Sequence, residues 1–129
     1  MAQGDFENAL IHLQKALKMQ EVALGPSNVR VADIHVNMGE VFRHMGDFEK
    51  AMFHYNSALS IYIPSVGDRH VSVAMTKENI CYVYLQLGDL VQEHTFLKEA
   101  HHIFVQRLGP DHFNTQKAAR SLELLEKKQ

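Results

Sequence analysis

The chain has one cysteine, no tryptophan, three prolines and seven glycines. A single thiol cannot close an internal disulfide, which excludes a disulfide scaffold and is compatible with a reducing compartment. So few prolines and glycines leave no low-complexity linker. No apolar run approaches the ~18 residues of a membrane span, and the first residues are polar rather than leader-like. Charge of one sign is also lacking. Thirteen Lys and Arg stand against fifteen Asp and Glu, a net charge of −2, so no basic footprint for nucleic acid or anionic lipid is present. These absences predict a cytoplasmic chain that engages neither nucleic acid nor membrane. What is present is a 46% hydrophobic fraction in 129 residues, enough apolar surface for one folded domain over 1–129.

Internal repetition is the strongest signal. Gly4-Asp5-Phe6 recurs as Gly46-Asp47-Phe48 and as Gly88-Asp89-Leu90, 42 residues apart each time. The same register relates Gly25, Gly67 and Gly109; Ala16, Ala58 and Ala100; Ala32 and Ala74; Asn37 and Asn79; and Met19, Ile61 and Ile103. One dipeptide match would mean nothing, but many in one ungapped register indicate duplicated units.

Each unit reads as two helices. Phe48, Ala51, Met52, Tyr55, Ala58, Leu59 and Tyr62 fall on one face of a 3.6-residue period, and Phe6, Ala9, Leu10, Leu13, Ala16 and Leu17 repeat it. In the third copy Glu93 and His94 interrupt the stripe, which predicts a splayed or tilted pair there. Gly46 and Gly88 sit where a helix end favours positive φ, and Gly25, Gly67 and Gly109 end the second helix of each pair. Asp5, Asp47 and Asp89 are N-cap candidates. Pro64 is expected to end or kink its helix near Ile63. With no strand-like alternation, the chain is predicted all-α, with six helices over 5–23, 28–45, 48–63, 70–87, 90–108 and 112–128. The small residues Gly39 and Cys81, opposite Ala51, Ala58 and Ala100, let neighbouring helices approach closely.

These residues resemble the tetratricopeptide repeat over nearly the whole chain: Gly39, Phe42, Gly46, Phe48, Ala51, Tyr55 and Ala58, then Cys81, Tyr84, Gly88, Leu90, Leu97 and Ala100. Glu93 stands where the family has Ala. The 42-residue period, with the loops Leu24-Gly25-Pro26 and Leu108-Gly109-Pro110, looks like the longer subtype of kinesin light chains. The resemblance implies a right-handed α-solenoid of antiparallel helix pairs. Its units would be 1–27, 28–69 and 70–111, with a terminal capping helix over 112–129. It also implies a protein-interaction module whose concave face is lined by the first helix of each pair.

Candidate chemistry is sparse. Nine histidines invite a metal reading, but no His-x-x-x-His occurs, and His101-His102 are adjacent and point apart. His12 and His54 are repeat-related and therefore about one unit apart. Surface or partly packed histidines are expected, with no metal and no cofactor. Cys81 lies at a packing position and reads as an inert buried thiol. No phosphate-cradling loop, nucleophile elbow or supported acid–base pair is present, so a non-catalytic chain is expected.

The groove residues implied by the resemblance are Asp33, Val36, Asn37, Glu40, Arg43 and His44, then Met75, Glu78, Asn79, Tyr82, Leu85 and Gln86. The duplicated Asn37 and Asn79 could bond a peptide backbone whatever its sequence, because an amide both donates and accepts. Relatives that clamp acidic chaperone tails place Lys and Asn four residues apart on this face. Val36 and Glu40, then Glu78 and Tyr82, stand there instead, and two acidic groups would repel such a tail. The expectation is a scaffold for a peptide or protein partner. The alternative is a structural spacer or self-assembly element with no groove ligand. The register leaves helix 5–23 without a first-helix partner. Its stripe of Leu10, Leu13 and Leu17 then predicts either a fragment of a longer solenoid or a homodimer through this helix. The last helix carries a polar outer face of Lys117, Arg120, Glu123, Glu126, Lys127 and Lys128, as a capping element should.

Overall fold

The computed structural model describes residues 3–128, so the first two residues and the last of the expected 1–129 domain lie outside the described residues. The described residues form six helices and no strand: α1 Gln3–Leu24, α2 Val29–Met45, α3 Phe48–Val66, α4 Val71–Leu87, α5 Leu90–Leu108 and α6 Phe113–Lys128. They gather into two compact units that divide between Val66 and Gly67. In the first, α1 packs on α2 and α2 on α3; in the second, α4 packs on α5 and α5 on α6.

Local chemistry explains the boundaries. Gly46 takes φ 82° and its N–H reaches the Arg43 carbonyl, while the Asp47 N–H reaches that of Phe42 at 2.9 Å. Gly88 repeats the motif at φ 79°, with Asp89 bonded to Tyr84 at 3.0 Å. These paired bonds satisfy the last free carbonyls, and the positive φ is open to glycine without a Cβ clash. Asp47 and Asp89 cap α3 and α5 as expected, accepting from the Lys50 and Gln92 N–H groups at 3.2 and 3.1 Å. Asp5 does not. It lies inside α1, which begins two residues earlier, at Gln3.

The caps of the other helices obey the repeat in a way that residue type conceals. Asn28 Oδ1 accepts from the Arg30 N–H at 2.9 Å, His70 Nδ1 from Ser72 at 3.0 Å, and His112 Nδ1 from Asn114 at 3.1 Å. Positions 28, 70 and 112 are 42 apart. An unprotonated imidazole Nδ1 does the work of the Asn oxygen.

Pro64 does not end its helix at Ile63. The helix continues to Val66. Proline there removes one hydrogen bond from a last turn that carries no further helix, so the interruption is cheap.

Small residues set the packing. Ala51, Ala58 and Ala100 have no exposed surface, and a Cβ on Gly39 would lie 2.6 Å from Cε1 of Tyr55, itself fully buried. The second unit has Cys81 and Leu97 at these positions, each 2% exposed. Backbone space given up to the larger ring in one unit is shared more evenly in the other. The expected splaying at Glu93 does not occur. Helices α4 and α5 pack over the same extent as α2 and α3, and Glu93 is buried with its Oε1 left without a hydrogen bond. The helix absorbs the carboxylate rather than tilting away from it.

Candidate partner-binding surfaces

In the first unit, α2 buries Val31, Ala32, Met38, Gly39 and Phe42. The positions expected to line a groove fall on its other side. Asn37 and His44 are exposed, and Val36, Glu40 and Arg43 are half-buried. Asp33 is exposed but not free, because the buried Tyr62 hydroxyl donates to its carboxylate. Burial, reinforced by that carboxylate, pushes the Tyr62 hydroxyl well above its ordinary range, so it stays a donor. Arg43 stands against the Tyr55 hydroxyl, whose pKa burial raises and Arg43 partly offsets. Asp33 and Arg43 are therefore also structural in this unit.

In the second unit, Met75, Leu85 and Gln86 are exposed on α4, and Glu78, Asn79 and Tyr82 are half-buried. Residue Lys117 of α6 joins them. Its ammonium lies 5.7 Å from the centre of the Tyr82 ring. The bond to the Tyr82 hydroxyl raises the Lys117 pKa, with Glu78 adding to the effect. Burial raises the Glu78 pKa, and Lys117 works against it. Lys117 thus belongs to this face and not to the polar outer surface of α6. Sequence reasoning could have found it, since 117 is 42 residues after Met75. Arg120, Glu123, Glu126, Lys127 and Lys128 are exposed on α6. Among the described residues, no side-chain hydrogen bond engages Asn37 or Asn79.

The remaining candidates separate. Leu10, Leu13 and Leu17 are half-buried, whereas the exposed apolar residues of α1 include Met19 at 70% and Val22 at 83%. Cys81 is buried, and burial with Glu93 and Glu78 pushes its thiol up to about 12, which keeps it protonated and inert. Two histidines 19 residues apart, His35 and His54, are brought together by the α2–α3 pair. No sequence spacing signals that contact. Among the described residues, no group of three or more His, Cys, Asp or Glu could hold a metal ion, and no helix is long and apolar enough to cross a membrane.

Helix pairs with glycine-ended turns, small residues at the crossing and a 42-residue register define the class. Residues 1–63 match the family model described as Tetratricopeptide repeat, so this stretch of the chain carries repeats of that family. The crystal structure of BtubC (BKLC) from P. vanneervenii shares the fold, with a TM-score of 0.82 over 96% of this chain and 50% of that one, at 21% identity. The chain thus spans half the length of that relative. Comparison with curated proteins finds no match. Repeats of this family generally mediate protein–protein interactions and are generally non-catalytic.

Proposed function

We propose that the chain is a non-catalytic scaffold that binds a peptide or protein partner through the first-helix faces of α2 and α4, without a cofactor. The observation that carries this reading is the pair Asn37 and Asn79. They occupy the same repeat position, lie outside the buried stripe of their helices, and offer unused amides for a peptide backbone. Val36, Glu40, Arg43 and His44 flank Asn37 on α2, and Met75, Glu78, Tyr82 and Gln86 flank Asn79 on α4. Glu40 and Glu78 disfavour an acidic peptide on electrostatic grounds. The subtype of kinesin light chains, and a cytoplasmic setting, belong to this same reading.

Selection of binders from a random-peptide library, followed by calorimetry, tests it. The double variant Asn37→Ala, Asn79→Ala should weaken a selected peptide while leaving the melting temperature nearly unchanged, each lost bond costing about 0.5–1.5 kcal/mol. Unchanged affinity would refute it.

A second reading, self-assembly through α1, is favoured by the exposed Met19 and Val22 beside Lys15 and Lys18. The half-buried Leu10, Leu13 and Leu17 then hold α1 on its own unit, and Met19 and Val22 form the shared surface. Under this reading, Met19→Gln with Val22→Gln abolishes a dimer seen by sedimentation, whereas Leu10→Gln and Leu17→Gln lower stability first. A chain that is monomeric at high concentration excludes it.

A further inference from the structure

Residues His35 of α2 and His54 of α3 face each other with Nδ1 to Nδ1 at 2.9 Å, their ring centres 5.2 Å apart. Phe42 stacks on His54 at 5.4 Å with an interplanar angle of 8°, and Phe53 meets the same ring edge-on at 5.1 Å. Both imidazoles are half-buried. A hydrogen bond between two like nitrogens needs one donor and one acceptor, so only one proton can sit between the rings. With both rings neutral, one carries its proton on Nδ1 and the other on Nε2. A first added proton goes to the free Nε2 of the donor ring and keeps the bond, but it places a charge on a half-buried ring. A second leaves two N–H groups pointed at each other and two positive charges in contact.

We propose that the His35–His54 pair is an acid-sensitive latch between α2 and α3. Burial, and then the charge of His35, pull the His54 pKa down to about 4, and burial lowers that of His35. The charged groups around the pair do not cancel this. Glu21 of α1 faces His35 and favours its charged form, but as the smaller influence. Lys50 of α3 lies 5.5 Å from the centre of the Phe42 ring and adds positive charge. The unfolded chain binds protons near the ordinary histidine value of about 6.5, while the folded chain refuses the His54 proton until about pH 4 and takes up that of His35 below its ordinary value. Stability contributed by the latch is therefore complete above pH 6.5 and is lost as pH falls from 6.5 toward 4.

The repeat supplies the control. Position 54 corresponds to Phe96, which stacks on Tyr84 at 5.7 Å and 18°, as His54 does on Phe42. His54→Phe keeps an aromatic ring and removes the titrating nitrogens. Amide hydrogen exchange over residues 31–62, corrected for intrinsic rate, is compared at pH 7 and pH 4.5 in the wild type and in His54→Phe. The wild type should lose protection on the order of tenfold across that interval, with solvent screening of the half-exposed rings already allowed for. His54→Phe should lose far less. Where His54→Phe does not fold, His35→Gln serves, because its amide still reaches the His54 Nδ1 without a second titrating ring. Its pH dependence should be shallower than that of the wild type. Equal loss in the wild type and the variant, or a flat wild-type profile, overturns the proposal.

Discussion

Adding a methyl group to Gly39 tests the packing logic most directly. Its Cβ would stand 2.6, 2.8 and 3.0 Å from Cε1, Cδ1 and Cζ of Tyr55. Carbon atoms in good contact lie about 3.5–4.0 Å apart, so the ring must retreat by roughly 1 Å. Tyr55 has no exposed surface to retreat into, and Arg43 stands against its hydroxyl. Overpacking of this kind costs about 1–3 kcal/mol. Alanine in a helix recovers about 1 kcal/mol relative to glycine. The net expectation for Gly39→Ala is a loss of up to about 2 kcal/mol, and Gly39→Cys should lose more. The second unit shows what relieves it, because Cys81 and Leu97 occupy the equivalent positions. Gly39→Cys combined with Tyr55→Leu should therefore cost at least about 1 kcal/mol less than the sum of the single changes. Urea midpoints at constant m provide the measurement, with hydrogen exchange across α2 and α3 reading the first unit by itself. Strict additivity, or a Gly39→Ala variant more stable than the wild type, would refute the close-approach argument.

Three further outcomes are expected. Glu93→Met, which keeps volume but removes the unpaired buried carboxylate oxygen, should raise stability by about 1–3 kcal/mol, and a lower midpoint would show that this carboxylate is supported after all. His70→Ala and His112→Ala should each cost about 1 kcal/mol by removing a cap, while asparagine, as at Asn28, should restore it; equal losses for both substitutions would deny the capping role. Cys81, its thiol pushed up to about 12, should resist a disulfide reagent at pH 8 and react only in urea; rapid labelling of the native chain would contradict its burial.

Much of this architecture was legible because it is periodic and local. Helix positions and the turns at Gly46 and Gly88 followed from spacing and from the φ each turn requires. The same locality explains two misplaced ends. Asp5 resembles Asp47 and Asp89 in sequence, yet α1 already runs through it, because capping depends on where the first turn begins. Pro64 reads as a stop, but a proline near the end of a helix forfeits little.

The candidate surface was legible only as a register. The 42-residue repeat by itself determined that Asn37 and Asn79 are equivalent, and that small residues meet at the helix crossing. Tertiary structure alone decided which side chains are already engaged. Tyr62 holds Asp33, Tyr82 draws Lys117 onto its face, and His35 meets His54 across two helices. It also decided that Glu93 is buried in an intact pair, and that Met19 and Val22 are more exposed than the leucines of α1. Periodicity reports which face of a helix turns inward, because that follows from 100° per residue. Pairing between side chains 19 or more residues apart depends on how two faces are set against each other, and no local spacing encodes it.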